Sequence, residues 1–125
     1  MNHKRSSWAW FWQAVTGIAL LLLLGLHTVA HHFVAAGGLR DFQQVIEYLS
    51  NPIIVVLEIA FLICVTTHAL LGVRSILFDL GLSARTERRI TVGLSVVGIV
   101  TALYGFWLTY TVIYTGSSST AFLPK

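Results

Sequence analysis

This 125-residue chain is predicted to be an all-α membrane protein with three transmembrane helices. Only 10% of its residues are charged and 56% are hydrophobic, whereas soluble domains carry about 25% charged residues. The mean hydropathy is +0.79. Three apolar segments, at about 10–34, 53–78 and 90–114, each approach the roughly 20 residues needed to cross a hydrocarbon core. Three helices enclose little space by themselves, so burying anything sizeable requires a partner.

The first segment follows Lys4 and Arg5 and begins with Trp8, Trp10, Phe11 and Trp12, an aromatic belt of the kind found at membrane interfaces. Its Leu20–Leu24 run imitates a signal peptide. The segment is too long for a signal h-region and carries polar residues farther along, so it is expected to be retained. The connection over 35–51 opens with Gly37-Gly38, and Pro52 follows it. Within it, residues 39–49 place apolar side chains at helical spacing, which predicts a short amphipathic helix at the outer interface. Ser50 or Asn51 before Pro52 is a start signal for the second membrane helix, and Gly81 is expected to end it. A short charged link, 83–89, leads into the third helix. There Ser95, Gly98, Ala102 and Gly105 line one face, where small residues let a neighbouring backbone approach. Residues 116–120 read as a flexible tail.

Charge placement predicts the orientation. Lys4, Arg5, Arg85, Arg88 and Arg89 flank the N-terminus and the second connection, and Arg40 is the sole base of the first connection. By the positive-inside rule the N-terminus and the 83–89 link face the cytoplasm and the C-terminus faces outward. This is the pattern of a single-domain, multi-pass protein of the cell inner (plasma) membrane. The pI near 9.4 reflects a basic patch suited to anionic lipid headgroups or an acidic partner; no nucleic-acid partner is expected. The single cysteine, Cys64, excludes an intrachain disulfide, and the lack of a C-x-x-C-H pattern argues against covalently attached haem.

The residues that carry chemistry are polar groups at membrane depth, which are costly there unless partnered. Thr16, Leu20, Leu23, His27 and His31 share one stripe of the first helix, and His32 points elsewhere. His68, Gly72, Ser75 and Asp79 share a stripe of the second. Neutral imidazole is the commonest metal ligand, haem iron included; the alternative for His27 is a hydrogen bond to a neighbouring helix. At 1.5 Å per residue, with Trp12 and Asp79 as inner markers, His68 lies about 16 Å deep and His27 about 22 Å. His31 and His32 lie near the outer boundary, within reach of headgroups, water or a haem propionate. Gly72 leaves room for the edge of a flat macrocycle one turn from His68. Arg74 either neutralises a propionate or snorkels to the interface. Asp79 either caps its helix or pairs with Arg85. Glu58 is expected to be protonated or paired inside the bundle, in either a structural or a proton-relay role.

The string from His68 through Gly72 and Arg74 to Asp79 is similar to the H-x3-G-x-R-x4-D pattern of the succinate dehydrogenase/fumarate reductase cytochrome b membrane anchors. Trp12-Gln13-Ala14-Val15-Thr16-Gly17, with His27 ten residues after Gly17, resembles the W-Q-x-x-T-G-x9-H pattern of the dihaem anchors. The similarity covers about two thirds of the chain. It implies that His68 and His27 are axial ligands of two haems b, and that His31, Gly72, Arg74 and Ser75 belong to the haem surroundings. Five-helix dihaem anchors carry the pattern twice; its single occurrence here implies half of a haem-binding helical bundle completed by a sibling anchor subunit. A flavoprotein subunit and an iron–sulfur subunit would dock on the cytoplasmic face and carry the succinate chemistry. Electrons would pass from the iron–sulfur subunit to membrane quinone, with menaquinone favoured. Glu47, Glu58 and Asp79 are the candidate carboxylates near quinone. The stretch from Trp10 to Ala14 lacks the Ser and Arg of single-haem ubiquinone anchors, and Leu80 replaces a tyrosine found in some of them, so that inner quinone site is not transferred. Rival readings are a different transmembrane haem b reductase subunit, or a small transporter or assembly protein whose histidines bind a metal ion or relay protons.

Overall fold

The computed structural model describes residues 3–34, 37 and 41–120. The expectations for the side chains of Lys4 and Arg5, and for Gly38, Leu39 and Arg40, lie outside the described residues. Among the described residues the architecture is entirely helical: α1 (His3–Val29), a π-helical turn (Ala30–Val34), α2 (Phe42–Leu49), α3 (Pro52–Phe78) and α4 (Ala84–Thr120). Three helices are long and apolar enough to cross a membrane, over Trp8–Phe33, Pro52–Phe78 and Ala84–Gly116. The central element is α3, with α1 packed on one side and α4 on the other.

Local chemistry sets the helix ends. Asp41 caps α2 with a full capping box: its carboxylate accepts from Gln44 N (2.8 Å), and the Gln44 side chain accepts from Asp41 N (3.2 Å). The helix therefore begins at Phe42. Asn51 caps α3 by accepting from Ile53 N (2.9 Å), with Pro52 at the first helical position. Pro fits there because its missing N–H would have had no intrahelical partner. At the other end Asp79 occupies the C-cap of α3, and Gly81 turns the chain with φ +68°, a conformation that favours glycine.

The third membrane helix is longer at both ends than the expected 90–114. The charged link is largely helical: Ser83 accepts the Glu87 N–H at its carbonyl (3.0 Å), and its hydroxyl accepts the Thr86 N–H (3.4 Å). The supposed tail is also helical, because the α4 backbone runs on to Thr120. Gly116 is buried, and a Cβ there would collide with Ile46 of α2.

The small-residue face of α4 meets α3. A Cβ on Gly98 would stand 2.7 Å from Leu70, and one on Gly105 would run into Leu62. Ser95 does not share that face. It is exposed and donates its hydroxyl to Thr91 O (2.8 Å). The apolar core lies at the end where α2 covers the π-turn and the start of α3, around Ala30, Tyr48 and Ile54 with Leu49 and Leu57 against them.

Candidate functional site

Two polar layers lie between α1 and α3. A rise of about 1.5 Å per residue along α3 separates His68 from Glu58 by about 15 Å.

The first layer is built around His68. From α1, Thr16 faces its ring, with Oγ1 3.2 Å from Nδ1, and Gln13 Nε2 stands 3.4 Å from Nε2. The Thr16 hydroxyl already donates to Trp12 O at 2.7 Å and shares its hydrogen with Gln13 O at 3.2 Å. Its oxygen is thus left to accept the His68 Nδ1–H. In that tautomer Nε2 keeps its lone pair and accepts from the Gln13 amide. Thr16 is the buried polar residue of the described chain, and Cys64 donates its thiol to Thr16 O (3.4 Å). Glycines flank the ring on both helices. A Cβ on Gly17 would come within 3.2 Å of His68 Cε1, and one on Gly72 within 3.3 Å of Gln13 Nε2. Gln13 Oε1 is buried with no hydrogen-bond partner among the described residues.

The second layer is built around Glu58. Its Oε1 gathers His27 Nδ1 at 3.0 Å, His31 Nε2 at 3.2 Å and the donating hydroxyl of Tyr48 at 2.9 Å. A carboxylate oxygen only accepts, so His27 presents Nδ1–H and retains a lone pair on Nε2. Phe61 stacks on the His27 ring at 4.6 Å, and the His31 ring lies 4.1 Å away. The side chains of His27, His31 and Glu58 are 25%, 30% and 20% exposed, which fits an open flank awaiting a neighbour. Burial, reinforced by the Glu58 hydrogen bond and charge, pushes the Tyr48 phenol above its ordinary range. His27, His31 and Glu58 also bring three potential ligand atoms within 4.8 Å of one another, a donor set that suits a divalent transition metal.

The remaining predicted residues spread outward. Arg74 reaches α4, where its Nε donates to Thr91 Oγ1 (3.3 Å), and its guanidinium covers Phe78 of its own helix at 4.1 Å. Ser75, Asp79 and Glu47 are exposed, as is His32. No ion pair joins Asp79 to Arg85 among the described residues. Arg85, Arg88 and Arg89 are exposed together at the start of α4. The sequence places Thr16 on the stripe of His27 and names Gln13 only as a motif letter, although their three-residue spacing puts two polar groups on one face of α1. Tyr48 was missed. Its signal was a phenol on the apolar side of an interfacial helix.

A helical membrane protein with two histidine layers between its spanning helices is the class that this geometry defines. The chain belongs to the succinate dehydrogenase/fumarate reductase transmembrane subunit family, whose model matches residues 1–107. Among curated relatives, it is 34% identical over 95 residues to the succinate dehydrogenase hydrophobic membrane anchor subunit of Thermoplasma acidophilum, covering 76% of this chain and 77% of the relative. It is 27% identical over 104 residues to the protein of the same description from Archaeoglobus fulgidus, covering 83% and 88%. No solved structure matches the chain.

Proposed function

We propose that His68 and His27 would each hold one haem b, sharing its iron with a histidine of a sibling anchor subunit. The observation that carries this reading is shared by both layers. Each histidine has Nδ1 engaged by an oxygen of the same chain, Thr16 Oγ1 or Glu58 Oε1, which directs the lone pair to Nε2, where a metal would take it at His27 directly and at His68 in place of the Gln13 amide. A hydrogen-bonded second nitrogen is the usual mark of a ligating imidazole. The His68 layer also fits a bound polar group: Gly17 and Gly72 withhold Cβ atoms that would press on the His68 ring and on Gln13, and the Gln13 Oε1 acceptor still lacks a donor among the described residues.

Haem bound in this way supplies one-electron carriage, and two imidazoles on one iron leave no open position for oxygen. The chain's own residues orient the imidazoles and exclude bulk from their edges; His31 and Ser75 remain candidates for the haem surroundings. Arg74, engaged with Thr91, is free to turn toward a propionate only by giving up that bond. The proposed complex adds a flavoprotein and an iron–sulfur subunit docked at the cytoplasmic face near Arg85–Arg89, in the inner (plasma) membrane. Electrons would leave to a quinone, with menaquinone favoured, at the outer end beside Glu58 and exposed Glu47; Asp79, at the opposite end of α3, marks an alternative inner approach. Succinate oxidation belongs to the other subunits.

A second reading has its own observation: His27, His31 and Glu58 form a donor set for a divalent cation. It would consume His27 and leave one haem. Reduced-minus-oxidised spectra of the purified complex, read with its flavin and zinc content, separate the two. Two haems per flavin and no zinc are expected. His68→Ala and His27→Ala should each remove a different haem; loss of the same haem from both variants would falsify the assignment.

A further inference from the structure

Three donors from three separate elements meet on one carboxylate oxygen: His27 from α1, His31 from the π-turn and Tyr48 from α2, all on Glu58 Oε1. Such convergence exceeds what a structural ion pair needs. We propose that Glu58 is a positioning residue for His27, holding its ring and tautomer through Nδ1, and that Tyr48 moderates the strength of that hold. The inference rests on the reading of His27 as an axial ligand.

A strong acceptor at Nδ1–H gives the imidazole imidazolate character and makes it a more basic ligand, which favours the ferric state and lowers the reduction potential. A charged acceptor makes a hydrogen bond roughly twice as strong as a neutral one. Glu58 therefore sets how much electron density His27 delivers. Tyr48 works in the opposite sense, because its hydroxyl draws on the same oxygen at 2.9 Å. His31, in the π-turn, joins the same carboxylate, with its ring 4.9 Å from that of Tyr48. Phe61, stacked on His27, limits ring rotation from the α3 side. His68 has only the neutral Thr16 hydroxyl at the equivalent nitrogen, so any effect of Glu58 is confined to one layer.

The test is a redox titration of the purified complex, with low-temperature electron paramagnetic resonance of the oxidised haems, for Glu58→Gln, Tyr48→Phe and His27→Ala. Glu58→Gln keeps an acceptor but removes its charge. It should retain haem while shifting upward the midpoint of the haem that His27→Ala removes. Tyr48→Phe should shift the same midpoint downward, and the other haem should not move in either variant. A structural brace would lower haem content without opposed shifts in what remains. If His27→Ala removes one haem while Glu58→Gln and Tyr48→Phe leave its midpoint and spectrum unchanged, the positioning role is wrong and the ligand assignment stands. If both haems persist in His27→Ala, both fail.

Discussion

Thr16 contributes a single hydroxyl, yet it sets the tautomer of His68. Its hydrogen goes to the α1 backbone at Trp12 O and its oxygen faces His68 Nδ1. Thr16→Val keeps the shape and deletes both bonds, at a cost of about 1 kcal/mol of stability. The haem missing from His68→Ala should then fall in occupancy in the reduced-minus-oxidised spectrum, and Thr16→Ser should restore it. Tyr48 yields a pH prediction. Its phenol is raised in the folded chain by burial first and Glu58 second, so the folded state holds the proton above the unfolded phenol pKa of about 10. Stability is thus unaffected below that pH and declines as pH rises beyond it. Alkaline denaturation of the wild type should show this decline, and Tyr48→Phe should lose that part of it. Sequence alone made His27, His68 and Glu58 visible, because polar residues in apolar helices stand out without any pairing information. It did not reveal that Glu58 belongs to His27, since those residues are joined only by the packing of α1 on α3. That Tyr48 joins the same carboxylate was hidden for the same reason.

At the scale of elements, the caps carried the legible information. Asn51-Pro52 marked the start of α3 to within a residue, and the Asp41···Gln44 box started α2 inside the predicted amphipathic stretch. The third membrane helix was under-read because polarity was taken as the end of the helix rather than of the membrane. Arg85, Arg88 and Arg89 are good helix formers, and Ser83 supplied a start signal. At the far end, Gly116 looked like a breaker but serves as the flat seat for Ile46. Glycine can thus mark close approach as readily as flexibility, and only a neighbour distinguishes the two. Gly105 and Gly93 test the point on one helix. A Cβ on Gly105 meets Leu62, whereas one on Gly93 meets nothing within 4 Å. Gly105→Leu should therefore force α3 and α4 apart at a cost of about 1–3 kcal/mol, and lower the thermal midpoint of the detergent-solubilised complex. Gly93→Leu should leave it within error; equal losses from the two would show that the contact with Leu62 is not what makes Gly105 intolerant of a side chain.

At the scale of the whole molecule, the described chain buries very little. Its buried apolar residues are Ala30, Ile46, Tyr48 and Ile54, and no described side chain is under 2% exposed. Ile18, Leu21 and Leu22 on α1 and Ile99 and Leu103 on α4 are all more than half exposed. In a bilayer that surface is not a fault, because lipid tails are as apolar as leucine and supply no hydrophobic drive for helices to associate. Association must then come from close packing or from polar groups that lack partners. The described chain keeps its unmet polar demand between α1 and α3, at Gln13 Oε1 and at the Nε2 lone pair of His27. With one proposed ligand imidazole per layer, His68 or His27, the three helices would provide half of what a bis-histidine iron requires. Assembly and haem loading are therefore expected to be a single event. Produced without its sibling subunit, the chain should insert as a monomer with no b-type haem spectrum. Produced together with it, the pair should carry two haems, and His27→Ala combined with His68→Ala should leave none. Size-exclusion chromatography with haem detection reads each case. Two haems on a monomer of this chain alone would refute the half-bundle, whereas two haems on a dimer of this chain alone would make its sibling a second copy of itself.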